Sequence, residues 1–277
     1  MPYAERDGAK IYYESRGQGP TLLLLEGLGY GLWMWRGQSP KLEGRFRLLL
    51  VDNRGVGEST PLKGPYSMTE FARDALAVLD AEGVDRAAVL GPSMGGFIAQ
   101  SIAALAPSRV SALVLSCTST GGPTSQGIPP ETWAEMTRVV PNESAVDRLR
   151  RTMSLALTAS FPRERTAEFE AIIADRLASP TDPTQWTFQA MSALNFDARE
   201  SDARIAVRTL LTTGTEDRVV PWTNSIALYK AIPSASLALF RGQNHLHLLE
   251  RAEAFNRTIE EFLLASGDAP PFVREVG

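Results

Sequence analysis

The sequence predicts an α/β protein with a mostly parallel, eight-stranded sheet that is flanked by helices and carries an inserted, all-helical cap. Continuous apolar runs at 21–25 and 47–51 are typical of strands buried on both faces. Such strands alternate with helical patterns along the chain, which favours a parallel sheet. From 119 to 204, helical patterns occur without a convincing strand. We therefore predict an α/β core over 1–118 and 205–277, interrupted by a cap over 119–204.

Two candidate loops follow the first buried strands. The loop at 26–31 is glycine-rich (E-G-L-G-Y-G), and the loop at 52–59 is polar (D-N-R-G-V-G-E-S). Open α/β sheets bind ligands at the carboxyl ends of their strands, which makes 26–31 a candidate site. Asp52 and Arg54 either contact substrate or fix their own loop through charge-assisted hydrogen bonds, and we favour the second interpretation.

The turn after the next predicted strand carries the motif around which the chain is organised. The apolar run 87–90 ends at G-P-S-M-G-G, and apolar residues continue at helical spacing to residue 105. In this context a G-x-S-x-G sequence predicts a nucleophile elbow, with Ser93 on a strained strand-to-helix turn. Gly91 and Gly95 supply the small residues that a crowded turn requires. The alternative is an ordinary strand-to-helix turn that contains a serine.

The predicted cap consists of four candidate helices separated by prolines, at 130–139, 144–159, 163–177 and 183–194. Since the cap is inserted between two strands of the sheet, we expect it to form a lid over the site. Trp133 and Trp186 are candidates for lining an apolar pocket beneath that lid. The alternative for each is ordinary packing between helices.

The alternation of strands and helices resumes after the cap. The patterns predict strands at 209–213 and 237–240 and a long helix at 248–264. The last residues, 266–277, contain Gly267 and two prolines and have the composition of a loosely held terminus.

A serine hydroxyl needs an adjacent base, usually a histidine that is oriented by a carboxylate. The chain has only two histidines, His245 and His247, and both follow the last predicted core strand. Asp217 follows the strand before it. Three loops at one edge of the sheet can therefore supply Ser93, an acid and a base.

Four segments, G-P-S-M-G-G, D-N-R-G-V-G-E-S, G-T-E-D-R-V-V-P and G-Q-N-H-L, resemble blocks of the α/β-hydrolase fold superfamily. The resemblance covers 10–265 and is strongest to the carboxylesterase and enol-lactonase-like branch with a helical lid. By position it implies that Ser93 is the nucleophile, Asp217 the orienting acid and His245 the base. It implies that His247 is a helix-entry residue.

The resemblance also implies an oxyanion hole formed by the backbone amides of Leu28 and Met94. The chain departs from the family at two positions. Glu26 stands where the family usually has a histidine after the early strand, and Pro92 stands where the family often has a histidine before the nucleophile. Glu26 is either a hydrogen-bonded structural replacement or a carboxyl of raised pKa that positions substrate or water. We favour the structural interpretation.

Together these observations predict a cofactor-independent serine hydrolase that acts on a small or medium, largely uncharged carboxylic ester or lactone. The same scaffold and triad also suit a C–C bond hydrolase. A ligand-binding, receptor-like protein with little turnover is the alternative from another functional class.

Composition narrows the range of partners. The formal net charge is -4 and no Lys/Arg cluster offsets it, so no nucleic-acid partner is expected. A signal-peptide core is absent, and no apolar run approaches the roughly 18 residues of a membrane span, so we expect a cytoplasmic protein without a membrane partner. One cysteine, Cys117, and two histidines predict neither a disulfide nor a metal site. A homodimer is one option for its assembly.

Overall fold

The sheet is the framework of the molecule, and the computed structural model describes it within residues 3–267 and 269–277. In those residues nine strands lie in the order β1-β2-β4-β3-β5-β6-β7-β8-β9. The pairs β1–β2 and β2–β4 are antiparallel, and all other neighbours are parallel. The strands are β1 (Tyr3–Arg6), β2 (Ala9–Arg16), β3 (Thr21–Leu25), β4 (Arg47–Val51), β5 (Ala87–Pro92), β6 (Val110–Ser116), β7 (Thr209–Gly214), β8 (Ala235–Phe240) and β9 (Val273–Val276).

The predicted fold class is confirmed, but the sheet has nine strands where the sequence predicts eight. The ninth strand lies in the segment predicted to be a loosely held terminus. There β9 pairs with β8 from Leu237↔Val273 to Phe240↔Val276, and the Leu237 amide donates to the Phe272 carbonyl at 2.8 Å. The prediction is wrong for these residues because the outer edge of β8 offers backbone hydrogen-bonding groups that the tail satisfies.

Helices cover both faces of the sheet. They are α1 (Ser39–Leu42), α2 (Met68–Ala81), α3 (Met94–Leu105), α4 (Pro130–Thr137), α5 (Ala145–Leu155), α6 (Phe161–Glu164), α7 (Thr166–Ala178), α8 (Pro183–Leu194), α9 (Arg199–Asp202), α10 (Thr223–Ala231), α11 (His247–Glu250) and α12 (Ala252–Leu264). The single helix predicted at 248–264 is instead divided into α11 and α12, because Arg251 leaves the helical region with φ -119 and ψ 41.

Helices α4 to α9 lie between β6 and β7, and we call this insertion the cap. Helices α4, α5, α7 and α8 lie at the four positions predicted from the sequence. Proline stands in the first turn of α4, α6 and α8, where its missing amide costs no helical hydrogen bond. The Ser144 and Asp182 side chains cap α5 and α8 by accepting bonds from backbone amides.

Two apolar clusters hold the layers together. Strand β3 contributes Leu23 and Leu25 to one cluster and Leu22 and Leu24 to the other, because successive side chains of a strand point to opposite faces. All four leucines are 0% exposed, and burying each such side chain contributes about 2 kcal/mol. The cap packs on both clusters: Phe196 and Ala198 belong to the first, and Met153, Leu157, Phe161, Phe169 and Ile173 belong to the second.

The parallel strands end at one edge of the sheet, so the loops after β3, β5, β7 and β8 share that edge. The cap is hydrogen-bonded to several of these loops, as described below. None of the helices in the described ranges combines the length and the apolar character that crossing a bilayer requires.

Candidate active site

Ser93 lies on the sharp turn between β5 and α3. Its φ of 54 and ψ of -122 are a strained combination for a residue with a side chain. The turn is crowded: a Cβ at Gly91 would lie 2.1 Å from the Gly95 carbonyl oxygen, and a Cβ at Gly95 would lie 2.2 Å from the Leu25 carbonyl oxygen. The Ser93 amide donates to the Ser116 carbonyl at 2.9 Å. This is the geometry expected of a nucleophile elbow.

Asp217 and His245 come together from the loops after β7 and β8. His245 Nδ1 lies 2.8 Å from Asp217 Oδ2, and the two residues are 7% and 6% exposed. Asp217 Oδ1 accepts hydrogen bonds from the amides of Val219 and Val220, both at 2.8 Å. Since a carboxylate can only accept, Nδ1 carries the proton and Nε2 is left to act as a base.

The environment of His245 favours its protonated form. Burial alone lowers the pKa of His245, but the facing Asp217 carboxylate and the Cys117 side chain together raise it well above the usual value. Because of this raised pKa, the imidazole of His245 retains a proton that it has accepted.

The end of β6 lies close to both Ser93 and the Asp217–His245 pair. Ser93 is hydrogen-bonded to Ser116, and the next residue, Cys117, has its sulfur within 4.8 Å of ligand atoms of both Asp217 and His245. Within residues 3–267 and 269–277, Ser93 Oγ makes no hydrogen bond to His245. Catalytic hydrogen bonds often tighten only when substrate binds.

Cys117, Asp217 and His245 also form a group whose spacing suits a metal ion. Three of the roughly four lone-pair sites of the Asp217 carboxylate already accept hydrogen bonds, two on Oδ1 from amides and one on Oδ2 from the imidazole. The arrangement fits proton transfer better than metal binding.

The loop after β3 lies against the elbow. A Cβ at Gly27 would lie 3.5 Å from Ser93 Cβ, and the loop turns through a bond from the Tyr30 amide to the Gly27 carbonyl at 3.2 Å. Among the described residues, the amides of Leu28 and Met94 donate to no protein acceptor. Both are therefore available to a bound ligand, as the predicted oxyanion hole requires.

Glu26 is a buried carboxyl beneath this loop, with 0% exposure. Its Oε2 accepts from the Asn53 amide at 3.3 Å, and its carbonyl accepts from Asn53 Nδ2 at 3.0 Å. Oε1 has no hydrogen-bond partner in the described part of the chain. Burial, followed by the nearby charge of Asp52, raises the pKa of Glu26 well above its usual value. The bonds to Asn53 are those expected of a structural replacement.

Asp52 and Arg54 have structural partners. Asp52 accepts from the amides of Leu32 and Glu58 at 3.1 and 3.0 Å. The buried Arg54 guanidinium donates to both oxygens of Asp74, at 2.9 and 2.5 Å. These contacts support the interpretation that both side chains fix their loop.

The two tryptophans predicted for the pocket lie in different places. Trp186, on α8, lies against the loop after β3: a Cβ at Gly29 would be 2.6 Å from Trp186 Cδ1. Trp133, on α4, is 49% exposed and belongs to neither apolar cluster. The structure brings only Trp186 to the site.

Three further residues lie at the site: Tyr30 belongs to the candidate loop at 26–31, whereas Arg176 and Gln189 escape prediction from the sequence. The ring of Tyr30 contacts Met153 of the cap through its hydroxyl, 3.5 Å from the sulfur. Arg176 of α7 lies over the same ring, 4.7 Å from its centroid. Gln189 of α8 is 0% exposed and bonds to Gly29. A polar or charged residue in a cap helix usually faces solvent, so nothing in its local pattern marks it as a site residue.

The second histidine belongs to a buried polar cluster. His247 Nε2 lies 3.3 Å from Ser116 Oγ and 3.2 Å from Thr212 Oγ1, and all three residues are 0% exposed. Burial lowers the pKa of His247 to about 4. The imidazole ring is packed against Phe240 and Phe255, and His247 is the first residue of α11. This polar cluster is therefore part of the core.

Comparison with known proteins agrees with the fold. The family model of the alpha/beta hydrolase fold matches residues 20–252. A protein of Azorhizobium caulinodans named as carbamate hydrolase RutD is 33% identical over 266 residues, which cover 95% of this chain and 98% of that protein. A 2-hydroxy-6-oxononadienedioate/2-hydroxy-6-oxononatrienedioate hydrolase of Paraburkholderia xenovorans is 30% identical, covering 94% and 92%.

Among solved structures, the enol-lactonase of Burkholderia xenovorans LB400 has a TM-score of 0.82 and 27% identity, covering 95% of this chain and 100% of that one. The family model and the matched relatives support the class of hydrolases. The chain belongs to the α/β-hydrolase fold family, as the sequence motifs predict.

Proposed function

We propose that this protein is a serine hydrolase that cleaves a small or medium carboxylic ester or lactone through an acyl-enzyme intermediate. The observation that carries the proposal is the buried pair of Asp217 and His245, joined at 2.8 Å at the same edge of the sheet as a serine in elbow geometry. The similarity to an enol-lactonase along the whole chain supports the ester or lactone class.

In the proposed reaction, Ser93 Oγ attacks the carbonyl carbon while His245 Nε2 accepts the hydroxyl proton. Asp217 holds the imidazole and stabilises the imidazolium. The amides of Leu28 and Met94 donate to the oxygen that becomes negative. His245 then protonates the leaving alcohol, and a water molecule, deprotonated by His245, releases the acid from Ser93.

The surroundings of the serine suit a largely uncharged acyl group. The loop after β3 contributes Leu28 and Tyr30, and the cap contributes Met153 and Trp186, which contact that loop. An apolar pocket with few polar groups favours substrates that bury hydrocarbon. We propose a small molecule of this kind as the partner and cytoplasm as the location.

The test compares the hydrolysis of p-nitrophenyl esters and of lactones by wild type, Ser93→Ala and Ser101→Ala. We expect Ser93→Ala to lose about 10⁴-fold or more in kcat, because the nucleophile is gone. Ser101 is a matched control: it lies on α3 and its hydroxyl is bonded to the Phe97 carbonyl at 2.9 Å, away from the reaction. Full activity of Ser93→Ala would refute the proposed nucleophile.

A C–C bond hydrolase is the second candidate. Arg176 favours it, because no described carboxylate lies within ion-pair distance of this guanidinium, whose pKa burial lowers. The relative from Paraburkholderia xenovorans acts, by its name, on dioates, and a carboxylate could pair with such a cation. Adding a dienedioate to the same substrate panel separates the candidates. Labelling of Ser93 by a fluorophosphonate without turnover of any substrate would favour the receptor-like alternative.

A further inference from the structure

The cap holds both backbone polar groups of Gly29, in the loop after β3. The Gly29 amide donates to Gln189 Oε1 at 2.9 Å. The Gly29 carbonyl accepts from Thr181 Oγ1 at 2.7 Å and from the Arg176 guanidinium. All three partners belong to α7, α8 or the segment between them, so the sheet does not hold Gly29 by itself.

Gln189 connects this loop to a second one. Its Nε2 donates to the Arg54 carbonyl at 2.9 Å, and its side chain is 0% exposed. The two contacts fix the orientation of the amide, because a backbone N–H can bond only to its oxygen and a carbonyl only to its nitrogen. One buried side chain of the cap therefore bridges the loops after β3 and β4.

Gly29 directly follows Leu28, whose amide is a proposed oxyanion donor. Gly29 has a φ of 67, and a side chain there would meet Trp186 at 2.6 Å. The loop is thus pressed against α8 in a conformation that favours glycine. A displacement of the peptide group that carries the Gly29 amide also turns the peptide group that carries the Leu28 amide, since the two are joined at Leu28 Cα.

We propose that Gln189 is a positioning residue for the oxyanion hole: by holding the Gly29 amide it aims the Leu28 amide at the developing oxyanion. The proposal rests on the proposed function. It makes transition-state stabilisation depend on the cap, in addition to any substrate contacts that the cap makes. An oxyanion donor works only when its position is fixed before the reaction.

The chain offers a matched control one helical turn away. Gln185, also on α8, bridges the backbone in the same way: its Oε1 accepts from the Leu62 amide at 2.6 Å and its Nε2 donates to the Leu62 carbonyl at 3.2 Å. Leu62 follows the loop at 52–59 and has no bond to Gly29. Gln185→Met therefore removes the same two hydrogen bonds between cap and core without touching the loop after β3.

The experiment measures kcat, KM and the affinity for a trifluoromethyl ketone for wild type, Gln189→Met and Gln185→Met. We expect Gln189→Met to lose about 10- to 100-fold in kcat and in affinity for the ketone, which forms an oxyanion on Ser93, while KM changes little. Gln185→Met should keep the wild-type kcat and lose a similar amount of thermal stability.

Gln189→Glu tests whether the amide acts through its hydrogen bonds. A neutral glutamic acid has both an acceptor for Gly29 and a donor for Arg54, whereas the ionised form has no donor. We therefore expect the kcat of Gln189→Glu, divided by that of wild type, to be highest at acid pH and to fall as the pH rises.

The proposal is wrong if Gln189→Met keeps the wild-type kcat, or if both methionine variants lose kcat equally, which is the result of general loosening of the cap. If wild type and Gln185→Met neither hydrolyse an ester or lactone nor form the ketone adduct, the proposed function itself fails, and this inference fails with it.

Discussion

The sheet and the cap are held by different forces. Every residue of β5 and β7 is buried, and their alanine, valine and leucine side chains are packed in the two apolar clusters. By contrast, α4 and α5 each bury a single residue, Thr132 and Met153. The sheet is stabilised by burial, which does not depend on orientation, whereas the cap also depends on directional polar contacts.

Those polar contacts reach the loops that carry the site. Ser192 of α8 accepts from the Tyr66 amide at 2.9 Å, in line with Gln185 and Gln189 along the same helix. Asn244, next to His245, donates to the carbonyls of Leu155 and Leu157 at 3.0 and 2.7 Å. The comparison teaches that buried strands position the Asp217–His245 pair, while polar contacts from the cap hold the loops around it.

The largest effect is expected in the part positioned by the sheet. Asp217→Asn should reduce kcat by about 10³- to 10⁴-fold, because an asparagine can donate to Nδ1 and so stabilise the wrong tautomer of His245. The variant should fold normally, since the asparagine oxygen still accepts from the amides of Val219 and Val220. Stopped-flow or steady-state rates against pH measure the change.

The same pH profile reports on the charge at Asp217. In wild type, kcat/KM should rise with pH through the raised pKa of His245, because only the neutral imidazole accepts a proton. Without the carboxylate, this rise should move to lower pH. An unchanged rise in Asp217→Asn would contradict the assignment of His245 as the base.

A smaller effect, on stability, is expected where the cap rejoins the sheet. Asp202, on α9, is 0% exposed, and neither of its carboxylate oxygens has a hydrogen-bond partner among the described residues. Burial, followed by the charge of Asp197, raises the pKa of Asp202 to about 8. Between about pH 4 and 8 the native state keeps a proton that the unfolded state releases, so stability falls by up to about 1.4 kcal/mol per pH unit.

Asp202→Asn should remove this decrease of folding stability with pH, so the variant should become more stable than wild type as the pH rises. Urea unfolding at several pH values measures it. Asp80→Asn serves as the control, because Asp80 is exposed and paired with Arg109 and does not contribute to the raised pKa of Asp202. Parallel pH dependences of wild type and Asp202→Asn would show that the buried carboxyl is not protonated in the native state.

The smallest effects should distinguish two tryptophans of the cap. Trp186→Ala should reduce kcat/KM about tenfold, equivalent to about 1.4 kcal/mol, because its ring supports Gly29. Trp133→Ala should change kcat/KM by less than about twofold, since the ring is 49% exposed on α4. Equal losses in both variants would mean that Trp133 contacts the substrate.

Local sequence is enough to predict elements whose signal is local. The runs at β3 and β4 are apolar at every central position, and the elbow combines a motif with a strand and a helix. In contrast, β9 has only four residues, V-R-E-V, and its pairing depends on the free edge of β8. No glycine or proline marks the break at Arg251 between α11 and α12.

The site divides in the same way. Ser93, Asp217 and His245 follow from strand-end positions and from the order of residue types along the chain. Gln189 does not, because a glutamine in a helix gives no sign of the loop that it faces. Its spacing with Gln185 and Ser192 places three polar side chains on one side of α8, yet only the tertiary structure shows what this side contacts.

Strand β9 has a consequence for the behaviour of the protein in bulk solution. It covers the outer edge of β8, the strand that continues into the loop of His245. An uncovered β8 would present a row of unpaired amides and carbonyls to other molecules, which is a template for intermolecular strand addition. Removing the residues from Phe272 onward, or attaching a bulky tag there, should therefore promote aggregation and lower the colloidal stability of the protein.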